Sequence, residues 1–90
     1  MQTISSDFVK NKLHAFGKRL VECQKLGKKS DTDIAKYLGI SGAAVGKYAN
    51  GKGFPTMENF IKLCNYLNVT PNDLISTRSR VFRLYSDRNL

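Results

Sequence analysis

Residues 31–50 read DTDIAKYLGISGAAVGKYAN, and this stretch decides the fold. Ser30 stands before it as an N-cap, with Asp33 three residues later to complete a capping box. Ile34, Ala35 and Leu38 then give a short helix one apolar face. Gly39 ends that helix, because the turn needs a positive φ that a Cβ would penalise. After Ile40, Ser41 caps another short helix that runs to about Ala49. Ile34, Leu38, Ile40, Val45 and Tyr48 fall at offsets that let the two helices pack at a steep angle. Ala35 lies where they cross, and its small side chain permits close approach.

Outward from this unit the helical pattern continues on both sides. Toward the C-terminus, Asn50-Gly51-Lys52-Gly53 is a turn and Phe54-Pro55 leads to Thr56, an N-cap. The helix that follows carries Phe60, Leu63, Cys64 and Leu67, with Ile61 beside them, and Asn68 suits a left-handed end. Thr70, Pro71 and Asp73 combine an N-cap, a proline in the first helical position and an acid two residues on, which predicts a short last helix ending near Ser76. Toward the N-terminus, Val9, Leu13, Phe16, Leu20 and Cys23 keep one face of a 3.6-residue period. Ser6 or Asp7 starts that helix, and Gly27 with Lys28 and Lys29 stops it. Residues 1–6 read as a short arm, residues 7–76 as one domain and residues 77–90 as a basic tail. The tail is ambiguous: Val81, Leu84 and Tyr85 fit a helix, whereas Phe82 and Leu84 alternate around Arg83 as in a strand. The expected core is Phe8, Phe16, Leu20, Ile34, Leu38, Val45, Phe60, Leu63 and Leu67.

Ninety residues allow one core, and 41% hydrophobic against 24% charged residues is ordinary for a folded chain. No apolar run approaches the roughly 20 residues that span a bilayer, and the N-terminus lacks a secretory apolar region, so the chain reads as soluble and cytoplasmic. Cys23 and Cys64 are far apart without a CxxC pair, and His14 is the one histidine. No zinc set can be assembled from them, and two free buried thiols are expected. No nucleophile, base and orienting acid are arranged together, and Gly51-Lys52-Gly53 lacks the spacing of a phosphate loop, so neither an enzyme nor a cofactor is expected. The net charge of +8 suits a polyanionic partner. Its distribution is uneven: residues 7–54 carry net +6, residues 55–77 net −1 and residues 78–90 net +3.

The run from Asp33 to Ile75, DIAKYLGISGAAVGKYANGKGFPTMENFIKLCNYLNVTPNDLI, resembles the lambda-repressor-like domain of the Cro/C1-type (Xre) regulators. The likeness covers roughly residues 8–76. It includes the helix–turn–helix unit, Asn50-Gly51 after it, Pro55 before the fourth helix and the Leu-Asn-Val-Thr-Pro-Asn-Asp-Leu entry to the fifth. The resemblance implies an all-α, five-helix DNA-binding domain with a short basic C-terminal tail. It also implies a transcriptional regulator, a repressor, that binds a palindromic double-stranded operator as a homodimer. Half-site centres would then lie about 34 Å apart.

By motif position, Ser41, Gly42, Ala43 and Lys47 are implied to face the bases, and Val45 and Tyr48 to face inward. Lys47 suits guanine O6 or N7, or else a phosphate; Ala43 suits a thymine methyl, or serves, like Ala44, only as a helix former. Gly42 and Gly46 depart from the long polar side chains usual in such helices. Each costs about 1 kcal/mol against Ala in a helix interior. Either they let the backbone approach DNA closely, or the helix orders fully on binding. Asn50, Gly51 and Lys52 are implied phosphate contacts, as are Lys28, Lys29 and Ser30 with the free amides of the second helix, although Asp31 opposes an anion there. The dimer interface is expected at Thr70, Pro71, Leu74 and Ile75, aided by Val81, Phe82 and Leu84. A rival reading is an antitoxin whose tail neutralises a partner toxin, since such proteins share this fold. RNA binding is a further rival, disfavoured because no exposed aromatic side chains are expected near the basic surface.

Overall fold

The computed structural model describes residues 6–75; the arm up to residue 5 and the tail, with the expected contacts Val81, Phe82 and Leu84, lie outside the described residues. Five helices follow in order: α1 Ser6–Gly27, α2 Asp31–Leu38, α3 Gly42–Ala49, α4 Met57–Leu67 and α5 Pro71–Ile75. α1 packs against α3 and α5, and α2 packs against α3 and α4. All regular structure among the described residues is helical.

The starts of α2 to α5 follow the caps expected from sequence. Ser30 Oγ accepts from the Asp33 amide at 3.1 Å, and the Ser30 amide donates to Asp33 Oδ2 at 3.0 Å. Ser41 Oγ accepts from the Ala44 amide at 3.1 Å, and Thr56 Oγ1 from the Asn59 amide at 3.2 Å. Thr70 and Asp73 form a second reciprocal pair, at 2.9 and 3.3 Å. Each device satisfies amides that the first helical turn leaves without a carbonyl partner.

Four helices stop in one way. Lys28, Gly39, Gly51 and Asn68 have φ values of 56°, 70°, 73° and 60°, one beyond each of α1 to α4. The residue after each returns its amide to a carbonyl five positions back: Lys29 to Gln24, Ile40 to Ala35, Lys52 to Lys47 and Val69 to Cys64, at 2.8–3.0 Å. This is the Schellman closure. It corrects the expected end of α1. Gly27 stays helical and Lys28 takes the left-handed conformation, because the Lys28 amide bonds the Lys25 carbonyl and the Lys29 amide bonds Gln24. A side chain in that region costs about 1 kcal/mol or more, which the closed end offsets.

The core gathers Phe16, Leu20 and Cys23 of α1, Ile34, Ala35 and Leu38 of α2, Val45 of α3, Phe60, Leu63, Cys64 and Leu67 of α4, and Leu74 of α5. Phe16 is its aromatic centre, with ring centroids 4.7 Å from Phe54 and 6.1 Å from Phe60. Two expectations fail here. Phe8 is half exposed, because the first turns of α1 run past the points where the Gly51 turn meets it, at Leu13 and His14, and where α3 meets it, at Gly17. Leu74, expected at a dimer surface, is 0% exposed. The turn of Asn68 and the Thr70–Asp73 cap fold α5 back against α1, and that contact encloses the side chain.

Cys23 and Cys64 are free and buried, as expected. Burial pushes the Cys23 thiol up to about 12 and the Cys64 thiol up to about 11, and Asp73 acts in the same direction on both. The unfolded thiols lose their protons first, near 9.0, while the folded ones hold theirs. Stability from this source is therefore complete below pH 9 and is lost as pH rises toward 12. Urea midpoints measured across that window should fall, and replacing both cysteines by alanine should flatten the fall. A stability that holds constant across the window would contradict the buried, protonated thiols.

Candidate nucleic-acid interface

The geometry of α3 follows from three local features. Gly39 turns the chain, Ser41 opens the helix, and Val45, which is 0% exposed, anchors it. Ile40, Tyr48 and Ala49 pack partly against the same core. With that face inward, Ser41, Gly42, Ala43 and Lys47 are exposed together. Ala43 and Lys47 are four residues apart, hence on one stripe of the helix. All four residues expected to face bases are therefore exposed, two on that stripe and two at the start of the helix.

Beyond α3, Asn50 and Lys52 are exposed and Gly51 is partly buried. A Cβ on Gly51 would lie 3.0 Å from the His14 Cα, and its φ is positive, so this turn is seated against α1. Gly17 does the same from the other side: a Cβ there would lie 2.5 Å from the Ala49 carbonyl oxygen and 2.8 Å from that of Tyr48. Two glycines therefore hold the end of α3 against α1. Gly51 was singled out in the sequence for its turn; Gly17 was missed, because nothing local marks it. By contrast, a Cβ at Gly42 or Gly46 would meet nothing within 4 Å. The fold does not require glycine at either place.

The second expected phosphate anchor is more crowded. Both the hydroxyl and the amide of Ser30 are engaged by Asp33. These bonds, the amide's foremost, together with Lys29 and Lys36, hold the Asp33 carboxyl below its ordinary value. The Asp31 and Thr32 amides remain without intrahelical partners. Gln24 Nε2 donates to Asp31 Oδ1 at 2.8 Å and so ties that carboxylate to α1. Lys29 Nζ lies 4.8 Å from the ring centre of Tyr66, which draws it toward α4. Lys28 is exposed. A cleft of about 510 Å³ runs here between the end of α1, the start of α2 and Ala49, lined also by Lys25 and Lys28. Gln24 had no place in the sequence reading, and Lys25 only as a cation off the apolar face of the first helix. Their one signal is position, in the last turn of α1, facing the α2 cap.

Aromatic side chains do reach the surface, against expectation. Tyr37 is 44% exposed and stacks on Tyr66 with centroids 4.3 Å apart. The two rings lie on different helices, α2 and α4, and neither has a sequence neighbour that marks the pair. Among the described residues no helix is long and apolar enough to cross a membrane, and no group of three or more His, Cys, Asp or Glu could hold a metal ion.

An exposed, capped helix presented by a glycine turn defines a helix-turn-helix protein. The helix-turn-helix family model matches residues 23–74, more than half of the chain, and the chain belongs to that family, of the Cro/C1 type, whose members are DNA-binding transcriptional regulators. Over 56 residues it is 36% identical to the cryptic phage CTXphi transcriptional repressor RstR of Vibrio cholerae serotype O1, covering 62% of this chain and 50% of that protein. Over 69 residues it is 35% identical to an SPbeta prophage-derived uncharacterized HTH-type transcriptional regulator, YonR, of Bacillus subtilis, covering 77% of this chain and 64% of the relative. The matched part thus spans between half and two thirds of those relatives' lengths. Among solved structures it is similar to the restriction-modification controller protein C.AhdI from Aeromonas hydrophila, with TM-score 0.63 and 29% identity over 69% of this chain and 94% of that one.

Proposed function

We propose that the chain is a sequence-specific repressor that inserts α3 into the major groove of duplex DNA and binds a palindromic operator as a homodimer, without catalysing a reaction. The observation that carries this reading is the exposure of Ala43 and Lys47 on the side of α3 opposite the wholly buried Val45, with Ser41 and Gly42 exposed at the start of the same helix. A groove about 12 Å wide admits one helix. Small residues at the start of α3 bring its backbone near the base edges, and Lys47 is the long donor among them. Asn50, Lys52 and the amides around Gly51 meet the sugar–phosphate chain. Lys28 and Lys25 supply positive charge at the other flank, where Asp31 and Asp33 reduce the attraction. A single short helix reads too few base pairs for genomic specificity, which is why two copies are needed.

Titration of labelled duplexes at several salt concentrations tests this. With about four phosphates neutralised per subunit, log K should fall with log salt at a slope near −3.6 per subunit. Lys47→Ala should change the order of preference among selected duplexes, with a loss of about 1–3 kcal/mol on the best site. Lys52→Ala should weaken all duplexes alike and lower the slope by about 1. A slope near zero would refute the electrostatic account. Equal losses on every sequence for both variants would make Lys47 a phosphate contact.

A further inference from the structure

α4 turns one face inward and leaves another bare. Phe60, Leu63, Cys64 and Leu67 are buried, whereas Met57 is 68% and Ile61 56% exposed. Met57 and Ile61 are four residues apart, so they form one apolar stripe. Glu58 and Lys62 lie beside it on a single flank, Lys62 Nζ 3.2 Å from Glu58 Oε2. Resting on the reading of the chain as a dimeric repressor, we propose that a second copy of this chain docks on the Met57–Ile61 stripe, with the two α4 helices antiparallel about a two-fold axis.

The charges argue for that occupant. Across a two-fold axis, antiparallel helices bring like flanks together, and each contact occurs twice. The flank that carries Glu58 and then Lys62 meets its own image reversed, so Glu58 faces Lys62 of the second copy and Lys62 faces its Glu58. The stripe is thus self-complementary in both apolar character and charge. Of the other exposed apolar side chains, those among cations lack this property, whereas Ile75 of α5, 40% exposed, lies in the same near-neutral stretch but has no such charged pair beside it. Phe8 and Val9 stand among Lys10 and Lys12, Leu26 stands between Lys25 and Lys28, and Tyr37 follows Lys36. A second copy of a chain with net charge +8 would meet cations with cations at those places. Residues 55–77, at net −1, form the one stretch without that repulsion. The same near-neutrality makes the stripe a poor seat for nucleic acid. Of the residues expected at a dimer contact, Leu74 is enclosed in the chain's own core while Thr70, Pro71 and Ile75 stay exposed, and the proposal moves the centre of the contact to α4.

Sedimentation equilibrium of the whole chain without DNA is the test. The unaltered chain should dimerise. Glu58→Lys puts two lysines on the flank of each copy and should weaken dimerisation about tenfold, from two exposed pairs lost and two repulsions gained. The reversal Glu58→Lys/Lys62→Glu restores complementarity and should bring the dissociation constant back close to that of the unaltered chain. Ile61→Asp should leave monomers with unchanged helix content by circular dichroism, since the position is exposed. An unaltered chain that stays monomeric overturns the proposal. So does a dimer indifferent to Glu58→Lys and Ile61→Asp, or a double reversal as weak as the single change; either result would give the stripe to the tail or to another protein. A parallel titration with duplex DNA keeps the two readings apart. A chain that dimerises as described but binds no duplex refutes the repressor reading and leaves the α4 contact standing.

Discussion

Gly17→Ala should lower stability by about 2–3 kcal/mol, although it places a better helix former inside a long helix. Propensity alone favours the change by about 1 kcal/mol. Against it, the new Cβ would sit 2.5 Å from the Ala49 carbonyl oxygen, 2.8 Å from the Tyr48 oxygen and 3.0 Å from the Ala49 carbonyl carbon. All three are backbone atoms at the end of α3, so no side chain can swing aside. Relief requires α1 and α3 to separate, which loosens the packing of Phe16 against Tyr48 and Phe60. Overpacking of this kind costs about 1–3 kcal/mol, and the lost contacts add to it. For a domain of this size, a net loss of that order lowers the melting temperature by roughly 10–20 °C. Gly46→Ala is the matched control. Its Cβ meets nothing within 4 Å, so the same substitution should raise stability by up to about 1 kcal/mol. Thermal melts of both variants, followed by circular dichroism, decide the matter. Equal shifts of the same sign would contradict the close approach of α1 and α3.

Leu74→Ala should cost about 2–5 kcal/mol, the range for removing a wholly buried leucine. The loss should be the same at low and high protein concentration, which separates a core residue from an interface residue. α5 has five residues and cannot hold its helix without packing. Its anchors are the Thr70–Asp73 cap and this side chain. Once α5 loosens, Cys23 and Cys64 lose their cover, because Asp73 of α5 lies close enough to both thiols to raise them. Reaction with a thiol reagent under native conditions should therefore accelerate in the variant. An urea midpoint close to that of the unaltered chain, with thiols still protected, would show that α5 is not part of the core.

Much of the fold was legible because its signals are local. Ser30, Ser41, Thr56 and Thr70 each bond an amide three residues on, and Gly39 and Asn68 end helices by their own backbone preference. The apolar stripes of α2 and α4 point inward as their spacing requires. The same holds for the exposed stripe of α3, because Val45 and Tyr48 turned inward leave Ala43 and Lys47 outward, while Ser41 and Gly42 are exposed as the helix start. The flanking anchors were less legible. Ser30 has the expected cap, but its bonds to Asp33 occupy the groups assigned to a phosphate. Lys29 precedes that cap in sequence yet lies over Tyr66, which stands 37 positions on.

By itself the sequence determined where α2 to α5 begin, where α2 to α4 end, which face of each is apolar, and which family the glycine turn belongs to. Those properties depend on hydrogen bonds and side-chain spacing within a turn or two of the chain. Only the tertiary structure decided that backbone atoms stand where a Cβ on Gly17 would go while Gly46 faces open space, that Phe8 lies outside the core and Leu74 within it, and that Met57 and Ile61 are exposed. Each of those depends on which distant backbone or side chain arrives at a given point in space, and periodicity along one helix carries no record of how far its neighbours extend.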